Sequence, residues 1–255
     1  MRWLGFSLLF IVTTLLTVVL GFPADRAWPR IQPHLPSLRI AYPEGSIWCG
    51  TTKSLTYQGI TLTDASWHVQ LTSLITGNPA LTVEGKFNGQ PQKAEIHLNQ
   101  DKSFDLRQSD IKINLNTLIL ALPLALRPGG QLEIHLEQAR ANPDLSLDSI
   151  SGVATWKSAL LGRDKLGNYQ LDLKTENSII LGSLKTLPNS PVGANGRITL
   201  KPDGQYILDL TLSISKDTPD SLKRNLGMLG QFDASGRLPV HFQGNLSQLQ
   251  GMISL

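Results

Sequence analysis

The chain has 255 residues, 41% of them hydrophobic, and a formal net charge of +3, so it is long enough to bury a sizeable core and only mildly basic. Its Lys and Arg residues are interleaved with Asp and Glu, which excludes a dense basic stripe of the kind that grips nucleic acid. The single cysteine, Cys49, excludes an intramolecular disulfide framework, and it stands too far beyond the N-terminal apolar run to be a lipid-modified cysteine.

Residues 3–22 read WLGFSLLFIVTTLLTVVLGF, uncharged, with only Ser and Thr as polar members. About 20 residues at 1.5 Å each match the ~30 Å hydrocarbon core of a bilayer, whereas a secretory apolar region runs about 7–15 residues. The run predicts one transmembrane helix. A cleaved signal peptide is the competing reading, with Val19 and Gly21 as small residues at the cleavage site. Arg2 and the amino terminus precede the run and place the short tip in the cytoplasm. Arg26 and Arg30, which follow it, weaken that asymmetry. Trp3 and Trp28 are placed near the two interfaces. The predicted organisation is a cytoplasmic tip and anchor over 1–22, a juxtamembrane linker over 23–42 and a β-rich domain over 43–255 on the far side of the membrane.

Beyond the linker, Pro and Gly punctuate the chain and apolar residues alternate with polar ones. Segments 59–70, 94–99, 131–138, 151–157, 169–174, 192–200, 206–214 and 237–246 all have strand character. In 131–138, Leu132, Ile134 and Leu136 share one face while Glu133, His135 and Glu137 share the other. A period of 2 sends successive side chains to opposite faces, as in antiparallel sheet with one wet face. About a dozen strands at this spacing argue an all-β fold. A long curled antiparallel sheet is the expected form. A weak echo between Gly45–Trp48 and Gly152–Trp156 suggests two related β halves, 43–150 and 151–255. Pro128-Gly129-Gly130 and Pro202-Asp203-Gly204 have turn chemistry. Two segments read differently. Residues 116–126 are apolar but contain Pro123, giving a short helix or an irregular crossing. Residues 217–230 predict a helix with Thr218 as cap, Pro219 in the first turn and Leu222, Leu226 and Leu229 as its apolar stripe.

No motif for catalysis appears. His34, His68, His97, His135 and His241 lack metal-ligand spacing, and His97 and His135 fall on the polar side of their strands. There is no Gly-x-Ser-x-Gly, P-loop, Rossmann or EF-hand pattern. Glu133 and Glu137 alternate along a strand; surface placement is favoured over a carboxylate pair facing a groove. The sequence therefore assigns no catalytic residue, cofactor or metal. Cys49 reads as a small buried residue beside Trp48, with a reactive or intermolecular thiol as the alternative. Trp48, Trp67 and Trp156 read as pegs between sheet faces or as an exposed docking patch; a core Trp48 would lose roughly 3–5 kcal/mol on truncation to Ala.

Several phrases carry a family resemblance. Pro43-Glu44-Gly45-Ser46-Ile47-Trp48-Cys49-Gly50 precedes Asp64-Ala65-Ser66-Trp67 and Leu74-Ile75-Thr76-Gly77. Gly152-Val153-Ala154-Thr155-Trp156-Lys157-Ser158-Ala159 precedes Lys165-Leu166-Gly167-Asn168-Tyr169. Gly204-Gln205-Tyr206, Leu226-Gly227 and Gly236-Arg237 follow. In this order, behind an N-terminal anchor, they resemble the type II secretion system protein N family. The resemblance implies a non-enzymatic, single-pass inner-membrane protein of a Gram-negative bacterium. It would support export of folded proteins from the periplasm through contacts with other inner-membrane components of the system. Within these phrases, Gly45, Gly50, Gly152, Trp48, Trp67 and Trp156 are the structural or docking candidates. Cys49 carries no family role. A different class of function stays open: a membrane-anchored β-groove protein whose apolar face, including Ile134, Leu171 and Leu210, holds lipid acyl chains. A periplasmic enzyme on a β scaffold is the third reading, opposed by the lack of any site constellation.

Overall fold

The computed structural model describes residues 21–57, 60–75, 77–116, 128–142, 146–214, 218–227 and 229–245. Fourteen strands and three short helices account for most of them, so the all-β, antiparallel reading holds. The predicted membrane span lies outside the described residues except for Gly21 and Phe22, and most of 116–126 lies outside them too. Among the described residues no helix is long and apolar enough to cross a membrane.

The chain divides into two compact units, 1–100 and 101–255. Positions 150 and 151, where the two expected halves meet, both lie within one strand, Leu147–Leu161.

In the first unit, helix α1 (Ala24–Ile31) and a 3-10 turn (Gln32–His34) lead into β1 (Leu38–Ala41). The expected linker is thus ordered structure. β2 (Glu44–Gly45), β3 (Cys49–Tyr57), β4 (Ile60–Gln70), a short helix α2 (Leu71–Ile75), β5 (Ala80–Phe87) and β6 (Gln90–Leu98) follow. The sheet order is β1-β3-β4-β5-β6, with β2 on β3. Asn88 and Gly89 both have positive φ (49° and 78°), the requirement of the tight two-residue hairpin that joins β5 to β6. Between Thr63 and Ser66 a bulge shifts the register of β4 on β5, with Asp64 at φ 48°.

The second unit is an up-and-down meander of β7 (Phe104–Asn114), β8 (Pro128–Ala141), β9 (Leu147–Leu161), β10 (Asp164–Glu176), β11 (Ile179–Thr186), β12 (Val192–Leu200), β13 (Gln205–Ile214) and β14 (Arg237–Asn245). Every neighbouring pair from β7 to β14 is antiparallel. The register lines up Ile111, Ile134, Ala154, Leu171 and Leu184 across five strands on one face. Ile198, Leu208 and Phe242 continue such rows on β12 to β14. Helix α3 (Asp220–Gly227) is shorter than the predicted 217–230, and Leu222 and Leu226 on it are buried. They pack with Leu166, Tyr169, Val192, Leu212 and Leu238 in the core of this unit. Thr218 is buried, and its hydroxyl donates to the Pro191 carbonyl, 3.3 Å away, tying the helix entry to the sheet. Pro202-Asp203-Gly204 makes the predicted turn, closed by Gly204 N–H to the Lys201 carbonyl. Pro128-Gly129-Gly130 does not: it opens β8, and Gly130, at φ 103°, faces a bulge whose extra residue lies on β9, where Ser158 has φ 49°.

Candidate functional site

The Gly45–Gly50 phrase is a hairpin. Gly45 pairs with Gly50 across β2 and β3, and the Ser46 N–H donates to the Cys49 carbonyl at 2.9 Å. The Ser46 hydroxyl oxygen accepts from the N–H groups of Trp48 and Cys49, at 3.3 and 3.1 Å. Gly45 sits at φ 90°, which a side chain rarely tolerates, and a β-carbon there would lie 2.7 Å from the Cys49 carbonyl oxygen. The loop grips the chain on both sides. Ile47 N–H donates to the Phe22 carbonyl at 3.1 Å, and Val69 N–H donates to the Trp48 carbonyl at 2.6 Å. Phe22 is the last residue of the apolar run, so this loop holds the point at which that run ends.

Gly50 stands opposite Trp67 on β4. The indole lies across the glycine, and its Nε1–H donates to the Ile47 carbonyl at 3.2 Å. Trp67 and Ile47 then form part of a cavity of about 210 Å³. Ala24, Ala27, Trp28 and Ile31 of α1 line one side of it, and Leu38, Ile40, Leu55, Val69, Leu81 and Val83 of the sheet line the other. Trp28, expected at a membrane interface, lines the cavity. Every lining side chain is hydrocarbon or indole. The opposite side of α1 carries Asp25, Arg26 and Arg30, all exposed. The helix is amphipathic, with Ala24 and Ala27 buried at a one-turn spacing.

Of the six residues singled out by sequence, Gly45, Trp48, Gly50 and Trp67 meet at this hairpin and its neighbour. Trp156 and Gly152 belong to the second unit. There Trp156 Nε1–H donates to the Gly129 carbonyl at 2.9 Å, and its ring centroid is 6.1 Å from that of Tyr169. Gly152 is buried, and a β-carbon on it would reach 3.0 Å from the Leu136 Cα. All three tryptophans are half-buried. Cys49 is exposed rather than tucked beside Trp48, because it begins β3 with its side chain turned outward. What sequence reasoning missed is α1: the apolar spacing of Ala24, Ala27, Trp28 and Ile31 is helical, but Pro29 and Pro33 disguise it as linker.

The phrase Lys165–Tyr169 is also structural. Gly167 (φ 133°) lies at a register break in β10. Asn168 Oδ1 accepts from Ser158 N–H at 2.8 Å, while the Asn168 N–H donates to Ser190 Oγ at 2.8 Å. The buried Tyr169 hydroxyl lies 2.9 and 2.8 Å from the Leu166 and Val192 carbonyls, and burial pushes its pKa up to about 12.

The polar faces carry cross-strand charge pairs. Lys93 meets Glu84, Lys157 meets Glu133, and Lys185 meets Asp172. His135 bonds Asp110 at 2.7 Å and His241 bonds Asp209. His97, expected to face solvent, is only 15% exposed at its side chain because Glu95, two residues along the same strand, holds it at 2.6 Å. Glu133 is taken by Lys157, and Glu137 accepts from the Ser151 hydroxyl, so neither is held for a carboxylate pair. Among the described residues, no group of three His, Cys, Asp or Glu side chains is placed to hold a metal ion.

These features define an all-β protein of antiparallel meanders with an apolar cavity under a short amphipathic helix. The family described as Type II secretion system (T2SS), protein N, matches residues 36–241. The chain belongs to the type II secretion system protein N family. It is 27% identical to the Type II secretion system protein N of Vibrio cholerae serotype O1, over 96% of this chain and 99% of that one. It is 28% identical to the protein of the same name from Aeromonas hydrophila, over 96% and 94% of the two chains. The corresponding Klebsiella pneumoniae protein is 26% identical over 81% of this chain and 82% of its own. No solved structure matches.

Proposed function

We propose that this chain is a non-catalytic component of the type II secretion pathway. It is held in the inner membrane by residues 3–22, with its β units in the periplasm, and acts through contacts with other inner-membrane components of the system. The family match over 36–241 carries the reading, because it spans strands of both units and not a single motif. The anchor is supported by the uncharged run and by the tie between Phe22 and Ile47, which would transmit the position of the membrane exit to the sheet. A non-catalytic role is supported by the motifs themselves: the Gly45–Gly50, Asp64–Trp67, Gly152–Ala159 and Lys165–Tyr169 phrases form a hairpin, bulges and core contacts. Deletion of the gene in a strain with an active type II system tests the reading. An exoprotein should accumulate in the periplasm, and a plasmid copy should restore export. Unchanged export would overturn it. Carbonate extraction of membranes tests the anchor separately: the protein should stay in the pellet.

A further inference from the structure

We propose that the cavity under α1 holds one acyl chain of a phospholipid drawn from the bilayer in which the chain is anchored. This rests on the anchored reading above. The cavity lining offers hydrocarbon and indole only, and Trp67 has already given its N–H to Ile47. A peptide backbone or polar ligand entering it would lose its water and find no partner. The volume, about 210 Å³, exceeds the engineered apolar cavity of about 150 Å³ that stays dry and takes up benzene. It suits a length of hydrocarbon and is too small for a folded partner. Position points to the source. Ile47 lines the cavity and also holds the Phe22 carbonyl, where the apolar run ends. The whole of α1 is only about 12 Å long, so the cavity stays near the membrane exit. Charge agrees: the exposed side of α1 carries Arg26 and Arg30 against the single Asp25, whose carboxylate accepts from the Arg26 backbone N–H, and neither guanidinium has a carboxylate partner among the described residues. Paired with a lipid phosphate, they would hold the headgroup outside while the chain enters beneath the helix. The Trp28 indole N–H, also without a protein acceptor among the described residues, suits the same boundary.

Photo-crosslinking decides this. Full-length protein is placed in nanodiscs of phosphatidylethanolamine and phosphatidylglycerol doped with a phosphatidylcholine that carries a diazirine at one acyl terminus. After irradiation, labelled residues are mapped by mass spectrometry. Label is expected on 3–22 and, separately, on cavity residues such as Trp28, Ile40 and Val83. Ala27→Trp fills the space and should abolish the cavity label while that on 3–22 persists. Val83→Phe serves the same purpose if Ala27→Trp lowers the melting temperature. Label confined to 3–22 overturns the proposal and leaves the anchor standing, as when a protein segment occupies the cavity. Cavity label that survives in a folded, filled variant also overturns it. Label on the cavity with none on 3–22 supports the lipid site and refutes the anchor; label on neither refutes both.

Discussion

The Trp67 indole occupies the space that a β-carbon on Gly50 would need. Such a carbon would overlap Cζ2 of the ring and the Glu44 carbonyl oxygen and would lie 2.7 Å from Cη2. Gly50→Ala must therefore displace either the ring or the β2–β3 hairpin. Overpacking of this kind costs about 1–3 kcal/mol. Gly85→Ala, whose nearest neighbours would stand at 3.2 Å, should cost less. Gly227→Ala, in helix α3 with nothing within 4 Å, should be neutral or stabilise by up to about 1 kcal/mol. Urea denaturation followed by tryptophan fluorescence ranks the three, and equal losses at all of them would refute the packing argument.

Trp67 and Trp48 should separate. Trp67 lines the cavity and bonds Ile47, so Trp67→Ala should destabilise by about 3 kcal/mol or more. Trp67→Phe keeps most of the apolar area but loses the N–H bond and should cost about 1 kcal/mol. Trp48 is half-buried and outside the cavity lining. Trp48→Ala should therefore cost less than the roughly 3–5 kcal/mol expected for a core tryptophan. Paired denaturation curves for the two alanine variants check this directly.

Strand alternation was easy to read because period 2 survives in single stripes such as Tyr206 to Ile214, and β12 begins and ends at the residues expected from sequence. The hairpin at Gly45–Gly50 was legible as a phrase but not as a grip on Phe22, since that contact joins residues far apart in the chain. Positions that need backbone geometry were misread. Pro128-Gly129-Gly130 has turn residues, yet Gly130 also needs its positive φ where it lies close against the bulge at Ser158 of β9, and sequence does not separate the two uses. Cys49 was misplaced because a strand-end residue adjoining Trp48 can point to either face. The cavity was invisible, since it requires α1 to lie on β1, β3, β4 and β5.

Cys49 is exposed and free of disulfide. In folded protein a maleimide reagent should modify it stoichiometrically, as fast as in urea. Cys49→Ser should change stability by less than about 0.5 kcal/mol. Strong protection in the native state would contradict the outward orientation at the start of β3.

Helix α3 packs on the second unit through Leu222 and Leu226, and Ser221 and Asn225 both donate to the Asp164 carboxylate at 2.9 Å. Leu222 is fully buried, and Leu222→Ala should cost about 2–5 kcal/mol. Tyr169→Phe removes the hydroxyl that meets two carbonyls and should cost about 1–2 kcal/mol. The tyrosine also sets an alkaline limit. The unfolded chain ionises near the ordinary value of 10.0 while the folded one holds its proton to about 12, so stability should fall across that interval. Tyr169→Phe should flatten the fall, which denaturation midpoints between pH 9 and 12 would show.

Among the described residues, acid acts through three aspartates whose pKa values are lowered from 3.8. Asp172 is lowered first by the hydrogen bond from Lys185, at 2.8 Å, and then by that from Gln170. Asp101 is lowered by the Ser103 hydroxyl and then by the Ser103 N–H. Asp233 is lowered by the Arg237 N–H and then by the Ser235 hydroxyl, in the turn that leads into β14. A depressed carboxyl binds protons more readily in the unfolded chain. Its stabilisation is therefore present above pH 3.8 and is lost as pH falls through the lower, folded value. Asp172→Asn removes that dependence at one site. The variant should be less stable than the parent at pH 6, with the gap closing below pH 3.8. Since all three groups reach solvent, salt should shrink the Asp172–Lys185 contribution. Urea midpoints of parent and variant at pH 6, 4 and 2.5, in low and high salt, measure the closure. Parallel profiles would show that the Lys185 bond does not survive in solution.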